Sequence, residues 1–306
     1  MSDEAKRPRF FVPDLLEGGE AAGGAQPGGM PSEPFAAHAF RRATGPRNSG
    51  APPAPPSTAA YVAAVAPGKP PAPAGGTVGR EILLPPTEAH HAAHVLRLKA
   101  GDAVELFDGR GGAALGRIVR IKKGEVAAAI EGIRPAAARP EPLIHLGFAV
   151  PKGDRLDWLL EKASEMGAAS LGPVLFERSV AGGTALSPAQ RQRWLARCIA
   201  AAKQSGLDFL PQIEDPRPLA EFLSAASGSV GLCGDLAPGA APLAEALRRR
   251  PGQPITILVG PEGGLTDVER QLVRAAGFAL VRLGRTTLRT ETAALALLAG
   301  TVAIVG

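Results

Sequence analysis

The sequence predicts an α/β protein in two parts, a small β-barrel followed by a mostly parallel sheet covered by helices on both faces. Three observations predict it. From Arg80 to about Pro140, short strand candidates are separated by Gly-Asp and Asp-Gly turns, the punctuation of a small all-β unit. After Pro140, apolar strand candidates alternate with long helical segments, the pattern of a parallel sheet buried on both faces. A length of 306 residues with 45% hydrophobic content leaves room for two cores of ordinary size.

Taken in order, Arg9-Phe10-Phe11-Val12 reads as a strand whose partners appear only after Arg80. Between them, from about residue 20 to 78, AAGGAQPGGMP, APPAPPSTAA and GKPPAPAGG concentrate Pro, Gly and Ala. Such a composition buries too little apolar surface to offset its ordering entropy, so the segment reads as a disordered insert, with Phe35 to Arg42 as a short helix candidate inside it. The first domain is expected over residues 1–139, interrupted by the insert, and the second over 140–306.

EILL, AVELF, ALGRIVRI and EVAAAIEGI are the strands of the first domain, with TEAHHAAHVLRL as its helix and DGRGG as a tight turn. In the second domain LIHLGFAV, SVGLCG, ITILVG and ALVRL are strands. In DRLDWLLEKASEMG, Leu156, Leu159, Leu160 and Ala163 repeat at helical spacing, and Gly167 stands where a C-terminal cap belongs. Ser187-Pro188 with Gln190, and Thr266 with Glu269, read as capping boxes that start two further helices.

A net charge of +5 suits a polyanionic partner, although the basic residues are scattered and suit a solvated surface equally. Cys198 and Cys233 have no paired spacing, which excludes a disulfide framework and a zinc cluster and fits a reducing cytoplasm. The start MSDEAKRPRFF has no apolar run behind its charges, and Thr292 to Val305 falls short of the roughly 20 residues that cross a bilayer. Neither export nor membrane insertion is expected.

Two loops carry candidate chemistry. In Ile255 to Thr266 a buried strand runs into Gly260-Pro261-Glu262-Gly263-Gly264 and then a capped helix, presenting free backbone N–H groups at the carboxyl edge of a sheet. This is neither a Walker loop nor a dinucleotide fingerprint, and by shape alone it is either a structural turn or a ligand loop. In Leu283 to Ala293 a strand is followed by a polar loop with two arginines and a glutamate, then an apolar helix. That arrangement orients an anion or a nucleobase edge, or else caps the helix and forms a surface ion pair.

Together the motifs are more specific. GPEGGLT-x-x-E (Gly260 to Glu269) followed by LG-x-x-x-LR-TETA (Leu283 to Ala293) resembles the signature of the ribosomal RNA small subunit methyltransferase E family. Further matches follow in chain order: RFFV, HHAAHVLRLKAGDAVELFDGRGG (His90 to Gly112), KGDRLDWLLEKASEMG (Lys152 to Gly167), FERS (Phe176 to Ser179), the AAKQSG ending at Gly206, and Pro211. The resemblance covers residues 9 to 19 and about 80 to 306 and leaves the insert unmatched.

The resemblance implies a trefoil-knotted SPOUT methyltransferase domain behind a PUA-like, RNA-binding barrel. The implied reaction is S-adenosylmethionine-dependent methylation of N3 of a uridine in 16S ribosomal RNA. The implied partners are that RNA or the small ribosomal subunit, and a second copy of the chain in a homodimer. By the same resemblance the cofactor is held by Leu232, Gly234, Val259, Gly260, Pro261, Glu262, Gly263, Gly264, Leu283, Gly284, Leu288, Thr292 and Ala293. Arg289 is the first candidate to stabilise the developing uridinate and Arg9 the second, while Glu291 either orients an arginine or the base, or caps its helix. Two departures stand out: Leu207-Asp208-Phe209 replaces a more basic stretch after the QSG motif, and Thr286-Thr287 interrupts the usual last loop, which weakens the expected RNA footprint.

Other readings are set aside. His90 and His94 are four apart on a helix but lack the glutamate of a zinc protease, and no metal site is expected. Ser179, Ser205 and His145 form no hydrolase set, because no G-x-S-x-G elbow exists. Gly109, Gly111 and Gly112 suit a hairpin turn. A non-catalytic ribosome-assembly factor on the same scaffold, or a related enzyme modifying another RNA position, are the alternatives; retention of both loops with Arg289 favours an intact enzyme.

Overall fold

The computed structural model describes residues 7–16, 78–134, 138–179, 183–247, 253–284 and 286–305. Positions 17–77, which hold almost all of the Pro/Ala/Gly-rich insert and its helix candidate, lie outside the described residues.

The first unit contains β1 (Arg9–Phe11), β2 (Glu81–Leu83), α1 (Pro86–His90), a π turn over His91–Val95, β3 (Ala103–Phe107), β4 (Ala113–Lys122) and β5 (Glu125–Arg134). They form one five-stranded sheet in the order β1-β3-β4-β5-β2. β1 runs parallel to β3, whereas the remaining pairings are antiparallel. All five strands feed one core around Phe10, Leu106, Ile118, Ile130 and Ile82, so the sheet curls about it. Asp108 makes the β3–β4 turn: its carboxylate accepts from the N–H groups of Arg110 at 2.7 Å and Gly112 at 2.9 Å. Gly109 and Gly111 there take positive φ, as a hairpin turn requires.

The second unit runs β6 (Ile144–Phe148), α2 (Asp154–Glu165), β7 (Ser170–Leu175), α3 (Pro188–Ser205), β8 (Gln212–Ile213), β9 (Arg217–Pro218) and α4 (Leu219–Ala225). It continues with β10 (Val230–Gly234), β11 (Ala241–Pro242), α5 (Leu243–Leu247), β12 (Ile255–Val259), α6 (Asp267–Ala275), β13 (Ala279–Arg282) and α7 (Thr290–Val305). The sheet order is β11-β13-β10-β12-β6-β7-β8, with β9 beside β7. Every pairing in it is parallel.

All five residues of β12 are buried, because alternate side chains face two different cores. Ile255, Ile257 and Val259 pack with Leu159, Trp194 and Leu298 from α2, α3 and α7, while Leu258 packs with Phe222 and Val273 from α4 and α6. This two-sided burial explains why the strand reads as a continuous apolar run. Both capping boxes form, Ser187 with Gln190 on α3 and Thr266 with Glu269 on α6.

The units are joined where α3 ends. The Arg9 guanidinium donates to the carbonyls of Ala202 at 3.0 Å and Leu207 at 3.1 Å, pairs with Asp208, and lies 4.7 Å above the Phe107 ring. Arg134 also reaches Asp208, at 2.8 Å. Backbone bonds add Gly111 N–H to Asp208 and Leu210 N–H to Gly109, and Lys203 pairs with Glu88 at 2.7 Å. The segment that departs from the family at Leu207-Asp208-Phe209 is therefore a docking strip for the barrel: an aspartate here gathers two barrel arginines where a basic residue would repel them.

Candidate active site

Three neighbouring strands, β13, β10 and β12, end side by side at the carboxyl edge of the parallel sheet, the edge where α/β folds bind ligands. An open cleft with a cavity volume of about 170 Å³ lies there. Its walls are Gly234 to Leu236 after β10, Val259 to Glu262 with Gly264 and Leu265 after β12, and Val281 to Gly284 with Thr286 to Leu288 after β13. Thr290, Ala293 and Leu297 close it from α7.

Local chemistry shapes each wall. Gly264 has φ +70° and closes a turn by donating its N–H to the Pro261 carbonyl at 2.8 Å. At Gly234 an added Cβ would stand 2.9 Å from Leu297 Cδ1, so a side chain there would require the tip of Leu297 to shift. The Thr290 hydroxyl donates to the Gly260 carbonyl at 3.1 Å, tying α7 to the glycine loop. Behind that loop, Arg178 of the FERS motif donates to the Gly263 carbonyl at 2.8 Å. Glu269 accepts from the N–H groups of Glu177 and Thr266, both at 2.8 Å, so the capping box of α6 also anchors the FERS turn.

The rim is charged. Asp235 pairs with Arg270 at 2.8 Å, and Glu262 pairs with Arg155 at 2.6 Å. Arg289 is exposed, and among the described residues its guanidinium has no partner. Cys233 precedes the last residue of β10 but is wholly buried, and burial pushes its thiol far above the ordinary range, so it is no nucleophile.

Comparison with known proteins identifies this architecture. An RNA methyltransferase domain model matches residues 139–301, and an RNA methyltransferase PUA domain model matches residues 84–131. The chain is 32% identical over 219 residues to the ribosomal RNA small subunit methyltransferase E of Synechocystis sp., covering 69% of each protein. The chain belongs to the ribosomal RNA small subunit methyltransferase E family. The Bacillus subtilis member is 28% identical over 219 residues, which span 68% of this chain and 84% of that protein. The Neisseria gonorrhoeae member, whose crystal structure has S-adenosyl methionine bound, superimposes with a TM-score of 0.68 at 33% identity, over 75% of this chain and 94% of that one. The family's two-part fold, a PUA-like domain and a SPOUT methyltransferase domain, is the fold of this chain, and its enzyme class is S-adenosylmethionine-dependent methyl transfer to ribosomal RNA.

The cavity suits S-adenosylmethionine. Val259, Val281, Leu265 and Leu297 give apolar surface for an adenine face, and glycine-rich loops present amides and carbonyls for its edge. Asp235 and Glu262 add polar groups to the lining.

Of the residues the family resemblance assigns to the cofactor, Gly234, Val259, Gly260, Pro261, Glu262, Gly264, Leu283, Gly284, Leu288 and Ala293 line the cavity. Leu232, Gly263 and Thr292 do not. Leu232 is fully buried in the core, Gly263 backs onto Arg178, and Thr292 points from α7 to solvent.

Arg9 is 5% exposed and sits in the joint between the units, held by Asp208, Glu105 and two carbonyls, away from the cavity walls. Glu291 is buried in the first turn of α7, 3.9 Å from Arg155, in keeping with the arginine-orienting alternative.

Sequence reasoning missed Asp235, Leu236, Leu265, Val281, Arg282, Thr290 and Leu297 as cavity residues. The first two directly follow a strand's carboxyl end, a usable signal. Leu297 lies deep inside an apolar helix and gives none. Thr286 and Thr287, departures read as affecting RNA contacts, face the cofactor cavity instead. His90 and His94 pair their rings at 4.8 Å, and among the described residues no three potential ligands gather for a metal.

Proposed function

We propose that this enzyme methylates N3 of one uridine in 16S ribosomal RNA, with Arg289 as the catalytic cation. The observation that carries the reading is the position of Arg289: exposed, without a partner among the described residues, and flanked by Leu288 and Thr290, which both line the cavity. When bound, S-adenosylmethionine supplies a methyl group activated on a sulfonium. The loops Gly234–Leu236, Gly260–Gly264 and Leu283–Leu288 hold it against the ends of β10, β12 and β13.

Uridine N3 is a weak acid whose lone pair attacks only as its proton leaves, so negative charge spreads over the base. The Arg289 guanidinium stabilises that charge. Docking of RNA over the rim excludes water and strengthens the interaction. Glu262 and Asp235, already paired with arginines, keep the loops in register.

The barrel, spanning residues 1–139 with its insert, grips the RNA while residues 140–306 perform the transfer. The reaction belongs in the cytoplasm, on the small ribosomal subunit or its RNA; no helix among the described residues is long and apolar enough to cross a membrane. A homodimer is favoured by apolar side chains left open on two helices that pack together, Trp158 on α2 and Ile304 on α7.

The test is methyl transfer from labelled S-adenosylmethionine to unmodified small subunits and to naked 16S RNA, with the nucleoside identified by mass spectrometry. We expect 3-methyluridine. A different methylated nucleoside overturns the N3 assignment.

A further inference from the structure

One ion pair at the cavity joins groups from three separate elements. Arg155, in the first turn of α2, places Nη1 2.6 Å from Glu262 Oε1 in the glycine loop and 3.9 Å from Glu291 Oε2 on α7. The two carboxylates are not equivalent. The Glu262 side chain is 51% exposed and can be satisfied by water, whereas that of Glu291 is 6% exposed and its Oε2 is buried with no hydrogen-bond donor. A buried carboxylate oxygen without a donor is costly, and the guanidinium next to it is the nearby group able to compensate. Arg155 therefore stands between an acceptor it holds and an acceptor that needs it.

Each carboxylate reports to a different wall of the cavity. Glu262 is itself a wall residue, and Glu291 sits between Thr290, which bonds the Gly260 carbonyl, and Ala293, also in the wall. The same first turn of α7 follows directly on Arg289.

We propose that Arg155 is a positioning residue for methyl transfer: its Nη1, bonded to Glu262 and in ion-pair range of Glu291, ties the Gly260–Gly264 loop to the start of α7 and so fixes the cofactor walls and the Arg289 backbone relative to each other. A lysine, with a shorter reach and a more strongly hydrated head, bridges two carboxylates from different elements less well. This inference rests on the reading of the cavity as the cofactor site.

The test compares Arg155→Lys, Arg155→Ala, Glu262→Gln and Glu291→Gln in the full chain. Three quantities are read: amide hydrogen exchange of residues 260–264 without cofactor, S-adenosylmethionine affinity by calorimetry, and the single-turnover methylation rate. For Arg155→Ala we expect faster loop exchange, affinity weaker by roughly tenfold, the scale of one lost charge-assisted hydrogen bond, and a slower single turnover. Arg155→Lys should recover only part of each. Should Arg155→Ala not fold, Glu262→Gln, at an exposed site, carries the test through faster loop exchange at an unchanged melting temperature.

A lower melting temperature with wild-type loop exchange and affinity would overturn the proposal and leave Arg155 a merely structural residue. Full rescue by lysine would overturn the requirement for a guanidinium at this position. Failure of the wild-type chain to bind S-adenosylmethionine would instead sink the cofactor reading, and loop exchange would still decide whether the clamp exists.

Discussion

Arg9 and Asp208 stand 199 positions apart in the chain and meet in an ion pair that joins the two folded units. The arginine is nearly inaccessible and rests on Phe107, so its charge is satisfied entirely by protein. Without Asp208 the arginine keeps only Glu105 at 3.3 Å and its two carbonyls, and without Arg9 the aspartate keeps only Arg134. Asp208→Ala removes one charge-assisted bond and should lower stability by about 2 kcal/mol in urea unfolding. Arg9→Ala should do at least as much, since it also abandons the carbonyls of Ala202 and Leu207. A stable Arg9→Ala protein with abolished methyl transfer would return Arg9 to the catalytic centre.

Arg289 makes the opposite prediction. Its side chain is exposed and has no partner among the described residues, so Arg289→Ala should change stability by less than about 0.5 kcal/mol. Calorimetry should find cofactor binding retained. The methylation rate should fall by roughly a hundredfold or more, the usual loss when a preorganised charge stabiliser is removed.

Trp158 tests the dimer. It is 46% exposed on α2, against which α7 packs. Trp158→Glu should shift the chain from dimer to monomer in analytical ultracentrifugation without loss of helicity, because a charge in an apolar contact opposes association while leaving the monomer core intact. A wild-type chain that sediments as a monomer at tens of micromolar would remove the basis for the dimer.

Both cysteines should be silent. Burial pushes the Cys198 thiol up to about 12 and raises Cys233 as well, and the thiolate is the reactive form. Disulfide reagents at pH 8 should label neither residue in the native protein and both after denaturation.

Stability should weaken on mild acidification. Burial lowers the pKa of His145 below its ordinary 6.5, and burial followed by the charge of Lys203 lowers that of His91. The unfolded chain takes up these protons once the pH drops below about 6.5, while the folded chain resists, so stability is complete above that pH and declines as pH falls toward the folded values. Urea midpoints at pH 7.5, 6.5 and 5.5 should fall in that order, and His145→Gln should flatten the trend.

The parts of this molecule that could be read from its sequence are those set by local chemistry. The capping boxes at Ser187 and Thr266, the hairpin at Gly109 to Gly112 and the continuous apolar run of β12 each follow from neighbouring residues. The two glycine-containing loops were visible because their residue types are unusual at strand ends. What stayed hidden depends on distant contacts. Nothing near Arg9 announces that it will meet Asp208, and Glu291 looks like a helix cap until α2 brings Arg155 beside it. Leu297 becomes a cavity residue only when α7 is laid against β10.

The joint at the end of α3 has a geometric consequence. Trp194, Cys198 and Ala202 pack this helix into the transferase core, and its last turn, with the strip that follows, is gripped by the barrel through Ala202, Lys203 and Asp208. One rigid helix is therefore both a core element of one unit and the anchor of the other. The barrel cannot swing as an independent body without giving up the Arg9 and Lys203 contacts, so the two units present themselves to a partner as one preset surface.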